Sequence, residues 1–96
     1  MEFNMSPRVR AYDLKPTPEQ NQISFYGKAV VRIYDDGTKV LFSYDTPIMA
    51  KEPHKDFVRI WNDWSATTGR HIKAFSGLNK HQFEALPLVE SVGLDI

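Results

Sequence analysis

Two stretches rich in β-branched and aromatic residues, 23–34 and 39–49, flank Asp35-Asp36-Gly37-Thr38. This pattern predicts a β-hairpin, because aspartate and glycine tolerate the positive φ of a two-residue type I′ turn. With Asp36-Gly37 at the tip, Ile33 faces Val40, Val31 faces Phe42, Ala29 faces Tyr44 and Phe25 faces Ile48. These residues make the inward side. Tyr26, Lys28, Arg32, Tyr34, Lys39 and Leu41 make the outward side, with Lys28 across from Asp45. A slip of one residue would bury Lys28 and Arg32, so the pattern specifies the register.

After a polar loop at 51–56, residues 57–64 read as a third strand, Val58, Ile60 and Trp64 alternating with Arg59, Trp61 and Asp63. Ser65 suits an N-cap, its hydroxyl accepting from a first-turn N–H, for a helix over 66–76 that ends at Gly77. Thr68, Ile72 and Phe75 form its expected buried stripe, and Gly69 costs it about 1 kcal/mol relative to alanine. Asn79 caps a second short helix over 80–86, stopped by Pro87. The order is β-β-β-α-α. We therefore expect an α+β fold: a three-stranded antiparallel sheet with one or two short helices on one face. A fourth strand is expected if Val9-Arg10-Ala11-Tyr12 pairs. Residues 1–22, with Pro7, Pro16 and Pro18, read as an extended arm that Phe3, Val9, Tyr12 and Leu14 could pin. Residues 23–87 read as a single domain and 88–96 as an acidic tail.

Composition adds limits. The 96 residues are 42% hydrophobic and 12% aromatic, enough for one modest core without a staple. The absence of cysteine excludes disulfides, thiol nucleophiles and thiolate-bound zinc. Twelve basic residues balance twelve acidic ones, so no overall field attracts nucleic acid. The balance is local: Arg70, Lys73 and Lys80 are followed by Glu84, Glu90 and Asp95. No run suits a bilayer span, and the start lacks a leader pattern. The expectation is a soluble cytoplasmic protein.

The chemistry-bearing residues gather where strand meets helix. Ser65, Thr67, Arg70, His71 and Lys73 are candidates for holding an anion, since a helix start offers free N–H groups beside basic side chains. For Ser65, capping is the more ordinary role. His71 has a plain alternative, a bond to Thr67 or to a neighbouring strand. His54, His71 and His81 with Asp63 could build a metal site, but their spacing matches no ligand motif. No nucleophile, phosphate-loop or paired-carboxylate signature is present. We expect no enzyme, no metal and no cofactor. Tyr26, Arg32, Tyr34, Arg59 and Trp61 are the candidate partner-binding set, their composition being that of interface hot spots.

Gly27-Lys28-Ala29-Val30-Val31, Asp35-Asp36-Gly37, Ser43-Tyr44-Asp45-Thr46-Pro47-Ile48 and Ser65-Ala66-Thr67-Thr68-Gly69-Arg70-His71-Ile72 resemble small uncharacterised proteins of bacteriophages and other mobile elements. Those proteins share a Ser-Tyr-x-Thr segment and a Ser-x-Thr-Thr-x-Arg/Lys-His helix start. The resemblance covers about half the chain and implies a setting more than an activity. In that setting we expect a non-enzymatic protein that binds and inhibits a host macromolecule, an anti-CRISPR-type inhibitor of a defence nuclease being one form. Its partner would be a host protein or protein–nucleic-acid complex, met by a monomer or homodimer. A nucleic-acid-binding module using the basic helix is the first alternative, and a histidine- or metal-dependent hydrolase the second.

Overall fold

A computed structural model describes residues 10–90. Phe3, Val9 and Asp95, singled out above, lie outside them. The described chain is α+β: one antiparallel sheet of five strands in sequential order, with two helices. The strands are β1 (Arg10–Asp13), β2 (Ala29–Ile33), β3 (Lys39–Ser43), β4 (Thr46–Lys51) and β5 (Phe57–Arg59). The helices are α1 (Ala66–Ser76) and α2 (Lys80–Glu84).

Two more strands are present than the three expected, one of them the fourth strand anticipated if residues 9–12 paired. Part of the presumed arm is the edge strand β1, and residues 39–49 split into β3 and β4. The break falls at Tyr44-Asp45, both at positive φ (51° and 66°), with Ser43 paired to Thr46 across it. That is a two-residue turn of the I′ kind.

The expected tip is built differently. Gly37 N–H donates to Tyr34 C=O at 2.9 Å and Tyr34 N–H donates to Thr38 C=O at 2.8 Å. Gly37 alone takes the left-handed conformation there, at φ 93°. The loop thus holds three residues, Asp35 to Gly37, the second-commonest hairpin solution. Asp36 Oδ1 accepts from Thr38 N–H at 2.9 Å and fastens it. One extra loop residue moves the register by one: Val31 pairs with Leu41 and Arg32 with Val40. Side chains alternate faces, so the shift turns β3 over relative to β2. Leu41, expected outside, is fully buried, and Tyr44, expected in the core, is exposed.

Two apolar clusters result. Val31, Leu41, Ile48 and Met49 meet Ile72 of α1 and Phe83 of α2 on the helix side. A bulge between Leu41 and Phe42 sets Ile48 beside Met49 in that core. The Ile48 carbonyl accepts N–H groups from Ile60 (2.8 Å) and Trp61 (3.0 Å), which ends β5 early. Val40, Phe42 and Ala50 form the second cluster, with Tyr34, Val58 and Ile60 against it.

α1 matches its sequence signals, while α2 ends at Glu84 with Ala85 as its C-cap, two residues short of the expected 80–86 and before Pro87 acts. Ser65 Oγ accepts from Thr68 N–H at 3.1 Å, and Gly77 ends α1 at φ 80°. Asn79 and Gln82 exchange side-chain bonds to each other's N–H groups at 2.8 and 2.9 Å, a full capping box. Gly69 has a packing reason: a Cβ there would sit 2.6 Å from Trp64 Cε2. The indole packs so close to the helix that alanine would not fit without a shift, which gives the glycine a reason against its helix cost. Among the described residues no helix is long and apolar enough to cross a membrane.

Candidate functional site

The end of the sheet where β2 begins and β3 stops gathers most of the chemistry. A second tight turn lies there. Tyr26 and Gly27 are at φ 54° and 76°, and Lys28 N–H donates to Phe25 C=O at 2.9 Å. Tyr44 N–H then donates to Lys28 C=O at 2.9 Å, which joins this turn to the Tyr44-Asp45 turn. Both turns carry a tyrosine at the first left-handed position. That position favours Asn, Asp or Gly, and a bulky side chain there is an outlier. Both rings are nonetheless exposed, Tyr26 by 74% and Tyr44 by 54%. The Lys28 ammonium lies 5.5 Å from the centre of the Tyr44 ring, within cation–π range.

Beneath Tyr44 sits a polar pair that realises the plain reading of His71, a bond to a neighbouring strand. His71 Nδ1 and Ser43 Oγ are 2.8 Å apart, and Ser43 Oγ is 3.3 Å from Thr68 Oγ1. Phe25 meets the imidazole edge-on at a ring separation of 4.6 Å, and Tyr44 lies over it at 6.0 Å. Burial lowers the His71 pKa below the ordinary histidine value, and the nearby Arg70 charge lowers it further. The imidazole is therefore neutral at pH 7 and ties β3 to α1. A serine at this distance from a histidine has the spacing of a nucleophile and its base. Both side chains are only 2% exposed, which leaves no approach for a substrate carbonyl. Their geometry serves cohesion.

His71 thus departs from the expected anion site: it points inward, bonded to a neighbouring strand, while Thr67, Arg70 and Lys73 are exposed. Ser65 is also exposed, and its hydroxyl serves as the cap. The Arg70 carbonyl accepts from Gln20 Nε2 at 2.8 Å, so the segment between β1 and β2 reaches α1 here. Lys80 pairs with Glu84 at 3.6 Å, away from Arg70 and Lys73.

The expected partner-binding set does not share one face. Arg32 lies over the Phe42 ring at 4.2 Å on the side away from the helices, and Tyr34 packs there too. Arg59 aligns with Met49 on the helix side. Its Nε donates to Leu86 C=O at 2.9 Å and its Nη1 to Asn62 Oδ1 at 2.8 Å. Trp61 follows β5, partly exposed, and Tyr26 precedes β2, at the other end of that strand from Tyr34. Among the described residues no three His, Asp or Glu groups converge as metal ligands.

A family model covers residues 12–87, from β1 to the residue before the Arg59–Leu88 bridge. The chain belongs to a family of unknown function, DUF8033. The DUF8033 span takes in both tyrosine turns, the Ser43–His71 pair and both helices. No curated protein and no solved structure matches the chain.

Proposed function

We propose that the chain acts by binding, through the paired tyrosine turns, and that it is a phage or mobile-element protein which occupies a host macromolecule in the cytoplasm. The observation that carries this reading is conformational. Tyr26 and Tyr44 each hold a left-handed backbone that costs about 1–3 kcal/mol for such a residue, and each presents its ring to water. Folding alone favours Asn or Gly at both positions. Strain kept with an exposed aromatic fits a hot spot: rigid, large and cheap to order on contact. The burial of Ser43 and His71 also favours binding over hydrolysis.

The specific form is an inhibitor of a defence nuclease such as a CRISPR effector. Expression of the chain in a host whose effector restricts a phage restores plaque formation, and the effector co-purifies with it. The Tyr26→Ala/Tyr44→Ala variant, still folded by circular dichroism, loses both effects. Full restriction in the presence of the wild-type chain rejects the inhibitor form. Single-stranded nucleic acid is the second occupant, favoured by Lys28 beside the Tyr44 ring, since bases stack on tyrosine while lysine meets phosphate. Its mark would be binding of an oligonucleotide that weakens steeply with salt.

A further inference from the structure

We propose that two copies of this chain associate through β1, edge to edge, into one continuous sheet. Among the described residues β1 pairs with β2 alone, and all four of its residues are exposed. The phase of its ladder decides which groups are free. Leu14 N–H donates to Ala29 C=O at 2.9 Å, so Tyr12–Val31 and Arg10–Ile33 are the hydrogen-bonded pairs of the β1–β2 ladder. The N–H and C=O groups of Ala11 and Asp13 therefore point away from the sheet. The strand carries no proline, and no bulge interrupts its register with β2.

An antiparallel second copy must bring outward groups opposite outward groups. That condition leaves registers centred on Ala11, Tyr12 or Asp13. Centring on Asp13 sets two like charges directly opposite and is disfavoured. Centring on Ala11 leaves the Asp13 groups beyond the paired segment. Centring on Tyr12 joins each Ala11 to the Asp13 of the other copy through both their N–H and C=O groups. It uses all four outward groups of each copy and opposes no like charges. Tyr12, 45% exposed, then meets its own symmetry mate at the closer, non-hydrogen-bonded position, where aromatic pairs gain most. The contact is isologous and closes as a dimer. Its small extent makes the association weak and concentration-dependent.

Sedimentation equilibrium of the full chain over a wide concentration range tests this. The expected mass rises from one chain toward two as concentration increases. Ala11→Pro removes only an N–H that β2 does not use, so the fold stays and the mass remains that of one chain. Tyr12→Lys places two cations across the two-fold axis and shifts association to at least tenfold higher concentration. Circular dichroism on both variants verifies folding. A wild-type chain that stays monomeric throughout overturns the proposal. So does a dimer that folded Ala11→Pro and Tyr12→Lys leave unchanged.

Discussion

The two ends of the β2–β3 pair solve the same problem with opposite residue choices. At one end, Asp35, Asp36 and Gly37 make a turn in which each residue suits its place. Gly37 supplies the positive φ, and Asp36 fastens Thr38, the backbone N–H it accepts lowering its pKa. At the other end, Tyr26 and Tyr44 occupy left-handed positions that other residues fill more cheaply. The first end is tuned for folding. The second gives up stability and presents two aromatic rings. The contrast teaches where to look: at positions where local preference and observed conformation disagree and the side chain stays largely exposed.

The comparison can be broken by substitution, and the effects have an expected order. Under the tyrosine end, Ser43→Ala leaves the buried His71 Nδ1 without its partner and lowers stability by about 1–3 kcal/mol in a urea melt. A smaller loss would mean that the pair contributes little to holding α1. At the suited end, Gly37→Ala forces a side chain into positive φ, with its Cβ 3.1 Å from Pro53 Cγ. It lowers the thermal midpoint by an amount equivalent to about 1–2 kcal/mol. An unchanged midpoint would show that this turn is not tuned as described.

Mild acid acts on the tyrosine end through His71. The folded state holds His71 neutral below the ordinary histidine pKa, so the unfolded chain binds the extra proton. Stability is therefore full above about pH 6.5 and falls as pH drops below that value. Thermal melts between neutral and mildly acidic pH check the direction. A His71→Gln variant loses that part of the acid sensitivity, and an identical slope in both chains would contradict the assignment. The smallest effect has the opposite sign: Tyr26→Asn raises stability by about 0.5–1 kcal/mol, because asparagine accepts the left-handed backbone.

Much of the fold was legible in the sequence because its signals were local. Ser65, Gly77 and Asn79 marked both ends of α1 and the start of α2 through caps that act within a few residues, while the end of α2 at Glu84 came before the expected stop at Pro87. The sheet was harder. Asp36-Gly37 fits two kinds of hairpin loop, and the choice between two and three loop residues turns β3 over. Tyr44-Asp45 was hidden because tyrosine is a strand former, so two strands read as one. The Ser-Tyr-x-Thr segment noted in the sequence is this turn, and its spacing, with Ser43 and Thr46 flanking two residues, was the available signal. A bond from His71 to a neighbouring strand was the plain reading, but its partner Ser43 lies far off in the chain, and the expected helix stripe of Thr68, Ile72 and Phe75 left the histidine's burial unseen. Gly69 read as a weakness until Trp64 was seen lying on it. The candidate partner set was chosen by residue type, and the shifted register and the Arg59–Leu86 bond then dispersed it.

The central claim is that the exposed tyrosines are held in left-handed turns for contact and not for folding. The most direct test measures denaturant stability and partner capture together on Tyr26→Asn. The account predicts a folded state at least as stable as wild type, with capture reduced by roughly 30-fold, the equivalent of a hot-spot loss near 2 kcal/mol. A less stable protein, or one that captures its partner as well as wild type does, would contradict it.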